Sequence, residues 1–265
     1  MPGNDPLAAP LEAIVREAGE LACATARGEF RRWTKGDDNS PVSDADIAVD
    51  NFLRARLHGL APEAGWLSEE TEDDPAARTQ ATAWIVDPID GTRAYLAGYP
   101  DWTVSIALVE HGRPKLAALY APVTDEMFLA SYGRGATLNG ARIHVSAGSA
   151  LDGASIAGPK RYLERMAKLN PAVQARPKVH SLALRLARVA QGNLDAAFAS
   201  QGSHDWDLAA ADLLVHEAGG LVTDFAGQPL QFNRPQTRHG ALIAAGAARH
   251  AALIDLVRSR QVEFA

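Results

Sequence analysis

The run from Trp84 to Thr92, which reads Trp-Ile-Val-Asp-Pro-Ile-Asp-Gly-Thr, constrains this chain more than any other segment. The apolar residues Ala83 to Val86 predict a strand, and Pro88 predicts that the strand ends there in a turn. Asp87 and Asp90 would then be two carboxylates on one turn. Carboxylate oxygens suit hard cations such as Mg²⁺, and exposed backbone N–H groups suit an anion. An ordinary acidic turn has the same composition, so this segment alone leaves both interpretations open.

The composition indicates an ordinary globular protein, since 47% of the 265 residues are hydrophobic and 22% are charged. The net charge of −6 argues against generic binding to nucleic acid polymers or to anionic membranes, because both need a basic surface. No apolar run reaches the roughly 18 residues that span a bilayer. We therefore expect a cytoplasmic protein. Cys23 is the single cysteine, which excludes an intrachain disulfide, and it lies on the apolar face of a predicted helix.

Hydrophobic periodicity predicts alternating helices and strands along the chain. Helices are expected at 10–29, 43–58, 161–169, 182–191, 207–218 and 249–259. Strands are expected at 65–68, 83–86, 103–110, 115–121, 126–131, 195–199, 221–224 and 241–245. The three runs between 103 and 131 are separated by turn residues and predict an antiparallel meander. We divide the chain into an α+β half at 1–150, with an antiparallel sheet, and an α/β half at 151–265, as two parts of one compact unit.

Further acids occur at the ends of predicted elements. Glu69 and Glu70 follow a strand, Asp207 opens a helix, and Asp46 forms a capping box with Ser43. Each has a simple structural explanation, because paired glutamates are often solvated and an aspartate in a first helical turn favours the helix dipole. Together with the two aspartates of the first motif they indicate a crowded carboxylate site. Such a site is strongly repulsive unless cations are present, and two metal ions could activate water and clamp an ester undergoing displacement.

Several segments resemble the inositol monophosphatase superfamily, the lithium-sensitive, magnesium-dependent sugar and nucleotide phosphatases. The matching segments are Ser43–Asp46, Ser68–Glu70, Trp84–Thr92, Trp206–Ala210 and Ala218–Asp224, and they extend from about residue 40 to 246. Their order, spacing and flanking residues all agree with the family pattern. The resemblance implies an α/β fold, a layered α-β-α-β-α sandwich, in which the N-terminal half carries most of the metal ligands. It also implies a homodimer that acts on a small phosphorylated metabolite.

The resemblance implies two or three Mg²⁺ ions per subunit. Glu69, Asp87 and the carbonyl of Ile89 would hold one ion, and Asp87, Asp90 and Asp207 would hold a second. A third, weaker metal site would lie near Glu69. We also expect Glu69 to be a catalytic residue.

Other residues would position the substrate and the attacking water. The resemblance assigns the water to Thr92 together with Asp46, and the phosphate to the backbone N–H groups of Gly91 and Thr92. Asp207 is expected to contact the substrate as well. His204 and His239 are more simply explained as hydrogen-bonding neighbours, because Mg²⁺ prefers oxygen donors.

The sequence predicts the type of reaction more closely than the identity of the leaving group. Inositol-specific members carry a glutamate seven positions before the second-half metal aspartate, and here that position is Ser200. The segment from Asp37 to Ser43 resembles instead the Asp-Asn-Ser-Pro-Val-Thr of bacterial 3′(2′),5′-bisphosphate nucleotidases. Arg185 matches a basic residue of those enzymes and would bind a second phosphate, although it could equally be a solvent-exposed helical arginine. The Gly-Ser-Ser of those enzymes has no clear counterpart around residues 180–183.

We therefore expect a Mg²⁺-dependent phosphomonoesterase that converts adenosine 3′,5′-bisphosphate to the 5′-monophosphate. Inositol-1-phosphate, histidinol phosphate and a sugar bisphosphate stay open as alternative substrates. Other candidate anion contacts are Lys35, Lys160, Arg161, Arg234 and Arg238. An alternative of a different class is a non-catalytic regulatory partner of the transcription machinery, because some superfamily members have that role.

Overall fold

The structure is a computed structural model that describes residues 5–28, 31–35, 40–75, 78, 80–260 and 264. The segment 36–39, which carries part of the resemblance to nucleotidases, lies outside the described residues, and only the backbone is described for Lys35 and Ser40. The α-helices in the described part are α1 (Ala8–Ala26), α2 (Asp44–Leu60), α3 (Thr92–Ala97), α4 (Lys160–Leu169), α5 (Leu182–Ala190), α6 (Asp205–Glu217) and α7 (Ala247–Ser259).

Two larger sheets and one small ribbon contain the strands. The strands of the ribbon and of the first sheet are β1 (Arg32–Lys35), β2 (Ser40–Ser43), β3 (Gly65–Ser68), β4 (Thr82–Asp90), β5 (Thr103–Glu110), β6 (Arg113–Ala121), β7 (Glu126–Ser131), β8 (Gly135–Leu138) and β9 (Ala141–Arg142). Those of the second sheet are β10 (Ser155–Ala157), β11 (Gln174–Ala175), β12 (Ala196–Ala199), β13 (Gly220–Asp224) and β14 (Leu242–Gly246).

The first sheet follows the chain in the order β3-β4-β5-β6-β7-β8-β9. Its strands from β4 to β9 pair antiparallel, which confirms the predicted meander and extends it by the two short strands β8 and β9. β3 pairs parallel to β4, so the segments that follow these two strands emerge at the same edge of the sheet. This parallel pair is what brings Glu69 towards the end of β4.

The second sheet has the order β11-β10-β12-β14-β13. β10 pairs parallel to both of its neighbours, and β14 pairs antiparallel to β12 and to β13. Every residue of β12 and of β14 is buried, as expected for strands that are covered on both faces.

Helices and sheets alternate in layers. α1 and α2 pack on one face of the first sheet, where Leu11, Val15, Val49 and Leu53 form a core with β4 to β7. α5 and α6 lie between the two sheets, and α4 and α7 cover the other face of the second sheet. The layered α-β-α-β-α sandwich implied by the family resemblance is therefore confirmed.

The helix boundaries agree with the periodicity to within a few residues, and α1 and α6 each begin two residues earlier than predicted. Cys23 is half-buried against the core beneath α1, and burial raises the pKa of its thiol, as expected for a packing residue. Among the described residues, none of the helices combines the length and apolarity needed to cross a membrane.

Candidate active site

β4 ends in a bulge that carries two carboxylates. Asp87 pairs with Ser105 of β5 and Asp90 pairs with Thr103, so three steps along β4 oppose two steps along β5. Pro88, which has no N–H to donate to the ladder, lies within this irregular stretch. The turn predicted directly after the apolar residues is therefore wrong, because the strand continues through the bulge to Asp90.

Three carboxylates converge at this bulge. Asp87, Asp90 and Asp207 each place an oxygen within 4.8 Å of the others. Asp207 is the third residue of α6, not its first as predicted, and it reaches the cluster because α6 packs against β4. The three acids line a cleft of about 350 Å³. The lining residues of this cleft are Pro41, Glu69, Asp87, Asp90, Gly91, Thr92, Arg93, Lys178, His180 and Asp207.

Glu69 lines the same cleft from the end of β3. Its backbone N–H donates to the carbonyl of Val86 at 3.2 Å, which continues the parallel pairing of β3 and β4 by one residue. The charge of Glu69 raises the pKa of both Asp87 and Asp207, so it acts on the cluster across a short distance. The structure thus brings Glu69 together with the three aspartates, as the sequence predicted.

The cluster is electrostatically unfavourable by itself. Burial is the main cause that raises the pKa of Asp87 well above its ordinary value, and repulsion by Glu69, Asp90 and Asp207 adds to it. Burial and then repulsion by Asp90 and Glu69 do the same to the pKa of Asp207. Bound divalent cations would remove this repulsion, and oxygen donors at this spacing are the ligands that Mg²⁺ takes. The donor set therefore fits the ions that the sequence implied.

Asp90 differs from the neighbouring acids because groups at the start of α5 donate hydrogen bonds to its carboxylate. Its carboxylate accepts hydrogen bonds from the Ser181 hydroxyl at 2.5 Å, from Ala183 N at 2.7 Å and from Leu182 N at 3.2 Å. Burial raises the pKa of Asp90, while these bonds and the charge of Arg185 lower it. The helix start therefore favours the ionised form of this carboxylate.

Thr92 and Asp46 form a second polar pair beside the acids. The Thr92 hydroxyl lies 3.2 Å from Asp46 Oδ1 and 3.0 Å from the carbonyl oxygen of Ile89. The other Asp46 oxygen accepts from Ser43 N at 2.8 Å and from the Ser43 hydroxyl at 2.6 Å, which confirms the predicted capping box at the start of α2. Burial raises the pKa of Asp46 despite these hydrogen bonds.

Gly91 joins the bulge to α3 and allows the close approach of α5. Its φ of +96° lies in the left-handed region, which residues with a Cβ adopt at a cost. A Cβ at this position would also lie 3.3 Å from Ser181 N and 3.4 Å from the carbonyl oxygen of Asp101. Glycine is therefore required here both by the backbone and by the space available.

Arg185 lies outside the cleft as the structure describes it. It lines a neighbouring cavity of about 470 Å³ instead, and its guanidinium donates to the carbonyls of Val179 at 2.7 Å and of Phe198 at 3.2 Å. Its Nε is buried with no hydrogen-bond partner in the described part of the chain. Burial lowers the pKa of Arg185, and the charge of Asp90 opposes this. The solvent-exposed arginine considered from the sequence is therefore wrong, while its binding of a second phosphate stays a prediction.

The neighbouring cavity is strongly basic. Its lining residues are Gly158, Pro159, Lys160, Leu163, Arg176, Lys178, Leu182, Arg185, Ala199, Ser200 and Ser203. Four of these are cationic, and no carboxylate is among the lining residues that the structure describes. Lys178 lines both this cavity and the acidic cleft, so the two spaces adjoin. Ser200, singled out in the sequence for replacing a glutamate, belongs to this cavity.

Sequence reasoning missed four residues at the cleft, Arg93, Lys178, His180 and Ser181. Arg93 directly follows the first motif and could have been included on that ground. Ser181 precedes an apolar helical pattern, which is a signal for a helix cap, and its hydroxyl does accept from Leu184 N. Lys178 and His180 carry no local signal, because only the folded chain brings them to the acids.

His204 and His239 have structural partners near the site. The His204 ring stacks on Trp206 at 4.4 Å, and its backbone N–H donates to Asp207 Oδ2 at 2.6 Å. His239 Nε2 lies 2.7 Å from the carboxylate of the fully buried Asp205. These contacts agree with the hydrogen-bonding explanation favoured from the sequence.

Comparisons with known proteins agree with this geometry. The sequence pattern of the inositol monophosphatase family matches residues 4–261. The chain belongs to the inositol monophosphatase family. Family members are magnesium-dependent phosphatases, so the family and the acidic cluster point to the same kind of chemistry.

Relatives within the inositol monophosphatase family carry more than one name. The chain is 36% identical to a protein named Nus factor SuhB from Pseudomonas aeruginosa, over 80% of this chain and 83% of the relative. Among solved structures, the extragenic suppressor protein suhB from Bartonella henselae matches with a TM-score of 0.82 and 30% identity, over 93% of this chain and 96% of that one. The IMPase from Thermotoga maritima matches with a TM-score of 0.81 and 27% identity, over 96% and 97%.

Proposed function

We propose that the protein is a Mg²⁺-dependent phosphomonoesterase that hydrolyses a small phosphate ester with an activated water. The observation that carries this proposal is the convergence of Asp87, Asp90 and Asp207 within 4.8 Å, in a cleft shared with Glu69. Acids that are buried and mutually repulsive at this spacing are costly for folding, and binding of divalent cations explains why they are there. The inositol monophosphatase fold supports the same conclusion.

The metal ligands in this proposal come from both sides of the cleft. Glu69, Asp87 and the Ile89 carbonyl would hold one ion, and Asp87 would share a second with Asp90 and Asp207. We propose two or three ions per subunit, the third near Glu69. When bound, the ions would supply activation of water and stabilisation of the charge that develops on the ester oxygens.

Thr92 and Asp46 would orient the attacking water. The Thr92 hydroxyl donates towards Asp46 Oδ1 at 3.2 Å, which leaves its lone pairs free to accept a hydrogen from the water. Burial raises the pKa of Asp46, and a raised pKa makes a carboxylate a better proton acceptor near neutral pH. The proton of the water would thus pass through Thr92 towards Asp46. The backbone N–H groups of Gly91 and Thr92 are proposed to bind the phosphate.

The proposed substrate is a 3′(2′),5′-bisphosphate nucleotide, with adenosine 3′,5′-bisphosphate as the first choice. The basic cavity next to the cleft supports this choice, because its four cations, with no carboxylate among the described lining residues, suit a second phosphate on the leaving group. Arg185 would contribute positive charge to this cavity. Arg176 and Lys178 are exposed and would contact the second phosphate directly. Ser200, which lines this cavity, stands where inositol-specific members carry a glutamate that binds a sugar hydroxyl. The serine therefore disfavours inositol-1-phosphate as the substrate.

A hydrolysis screen with Mg²⁺ would rank adenosine 3′,5′-bisphosphate, inositol-1-phosphate, histidinol phosphate and a sugar bisphosphate. We expect the nucleotide to be fastest and Arg176→Ala to raise its KM about tenfold or more, as expected for loss of one charge-assisted hydrogen bond. The same variant should leave hydrolysis of p-nitrophenyl phosphate, which has one phosphate, unchanged. Lys168→Ala on the exposed surface of α4 is the matched control. Negligible rates on every ester would contradict the enzymatic proposal.

Lithium sensitivity, a homodimer and a cytoplasmic location are further proposals that follow from the resemblance. Li⁺ should compete with one Mg²⁺, so inhibition at millimolar lithium is expected. Light scattering would measure the mass of the particle in solution and thus test the dimer.

A second candidate function is association with the transcription machinery. The name of the relatives, Nus factor SuhB, favours this candidate. The retained carboxylates argue for catalysis in addition, because a purely regulatory protein would have no need of them. A pull-down with RNA polymerase, using wild type and Asp87→Asn, would test it. Equal capture of both would support a regulatory role that does not depend on hydrolysis.

A further inference from the structure

The segment 178–182 forms the wall between the acidic cleft and the basic cavity. Lys178 lines both spaces, His180 lines the cleft, and Leu182 lines the cavity. This inference rests on the proposed function, in which the reacting phosphate lies at the acids and the rest of the substrate extends into the cavity. The ester oxygen that joins the two parts must then pass close to His180.

The His180 side chain is held in one orientation. Asp101 Oδ2 lies 2.7 Å from His180 Nδ1 and also accepts from the His180 backbone N–H at 2.7 Å. A carboxylate only accepts hydrogen bonds, so Nδ1 carries a hydrogen and Nε2 is the nitrogen left for other partners. The ring also stacks on Tyr99 with 8° between the planes and 5.2 Å between the centroids.

The backbone fixes the same segment to the metal-binding corner. Ser181, the next residue, donates its hydroxyl to Asp90 at 2.5 Å, and its N–H donates to the Asp101 carbonyl at 3.1 Å. Asp101 therefore binds both residues, through its side chain and through its backbone. His180 directly precedes Ser181, whose hydroxyl binds Asp90. The His180 imidazole therefore lies within reach of an ester bound at the acidic cluster.

We propose that His180 is a catalytic residue that protonates the leaving oxygen and that Asp101 is its positioning residue. As water attacks phosphorus, the bond from phosphorus to the ester oxygen breaks, and that oxygen takes the proton from His180 Nε2 and leaves as an alcohol. The doubly protonated ring is the donor, and the Asp101 carboxylate stabilises its charge through Nδ1. After the alcohol departs, Asp46 releases to solvent the proton it took from the attacking water, and His180 takes up one proton from solvent, so both residues return to their starting states.

The test compares leaving groups that do and do not need a proton. Alkyl phosphates release an alkoxide, whereas p-nitrophenyl phosphate releases a stable phenolate. His180→Gln should lower kcat on the fastest alkyl ester of the screen about 100-fold or more, the usual contribution of a general acid, and lower kcat on the aryl ester less than about threefold. Asp101→Asn should show the same asymmetry with a smaller loss. His216→Gln, at an exposed position of α6, is the matched control and should affect neither ester.

The outcomes separate this inference from the proposed function. An equal loss on alkyl and aryl esters in His180→Gln, with a native circular dichroism spectrum, would overturn the proton-donor role while leaving the phosphatase intact. If His180→Gln does not fold, Asp101→Asn decides by the same comparison. Absence of Mg²⁺-dependent hydrolysis of every ester by wild type would overturn the proposed function, and this inference with it.

Discussion

The Ser181 hydroxyl donates a 2.5 Å hydrogen bond to the Asp90 carboxylate, and this bond joins the end of β4 in the first sheet to the start of α5. The same hydroxyl accepts from Leu184 N at 2.9 Å, so one side chain caps the helix and orients a proposed metal ligand. Because Asp90 also accepts from Leu182 N and Ala183 N, the helix start and the carboxylate position each other.

Replacement of Ser181 tests this double role. Ser181→Ala should reduce stability by about 1 kcal/mol through loss of the helix cap. It should also weaken Mg²⁺ binding, because the Asp90 carboxylate loses its shortest hydrogen bond. Thermal denaturation and a Mg²⁺ titration would measure the two effects separately. Ser181→Thr, which can still cap and donate, is the control, and unchanged Mg²⁺ affinity in Ser181→Ala would contradict the proposed positioning.

Asp87 is the acid whose removal should separate activity from stability. Asp87→Asn should lower kcat at least about 10³-fold, because both proposed ions lose a shared ligand and the charge stabilisation they supply. The metal-free variant should be at least as stable as wild type, since the substitution removes a buried carboxylate that four neighbouring acids repel. Enzyme assays and thermal melts in EDTA would measure this. Asp255→Asn on the exposed surface of α7 is the control, and retained turnover in Asp87→Asn would show that the ligand assignment is wrong.

The acid cluster should make the metal-free protein sensitive to pH. Asp87 and Asp207 have folded-state pKa values raised by burial and repulsion, so the folded protein keeps protons that the unfolded chain has lost. Stability should therefore decrease as the pH rises from the ordinary carboxyl value of about 4 through the raised pKa values. Thermal melts between about pH 5 and 8 in EDTA would measure the decrease.

Mg²⁺ should reverse this dependence. At about 100 times its Kd, the ion should add about 2.7 kcal/mol per site, with a larger gain at the higher pH because the ligands must be deprotonated. Melts over a range of Mg²⁺ concentrations at both ends of the pH range would measure the gain. An equal gain at about pH 5 and pH 8 would contradict the assignment of these acids as ligands.

Asp212 should give a second, separate pH effect. It is a half-buried residue of α6, five positions after Asp207, and burial raises its pKa to about 7, although the charges of Arg113 and His239 lower it. The folded state keeps this proton while the unfolded state loses it, so the residue costs stability increasingly from about pH 4 to 7, and the cost stays constant above that. Asp212→Asn should stabilise the protein by about 1 to 2 kcal/mol near pH 8 and much less near pH 5. A melt series without Mg²⁺ would test this, and equal stabilisation at both pH values would contradict it.

Much of the fold was predictable because local patterns carry it. The meander from β5 to β7 is read directly from apolar runs separated by turn residues, and the helical periods locate α1, α5 and α7 to within a few residues. The carboxylates at Glu69, Asp87 and Asp90 were predictable because each comes soon after an apolar run that predicts a strand. The bulge of β4 was not predictable, since a proline after an apolar run also indicates a turn.

The parts that escaped prediction depend on contacts between distant segments. Ser181 meets Asp90 across 91 positions, and no local pattern records that meeting. The helical periodicity predicts that Arg185 lies on a helix. The hydrogen bonds from its guanidinium to two backbone carbonyls, however, depend on how β12 packs against α5. The short strands β8 and β9 have too few residues to show an alternation.

The order in which the ligands occur along the chain has a consequence for biosynthesis. Two of the four acids at the cleft belong to β4 and a third directly follows β3, but the fourth arrives with α6, more than a hundred positions later. A nascent chain whose first sheet has left the ribosome would therefore carry an incomplete and self-repelling set of acids. Only after α6 emerges would a newly made molecule have the full set of acids that we propose to hold the ions.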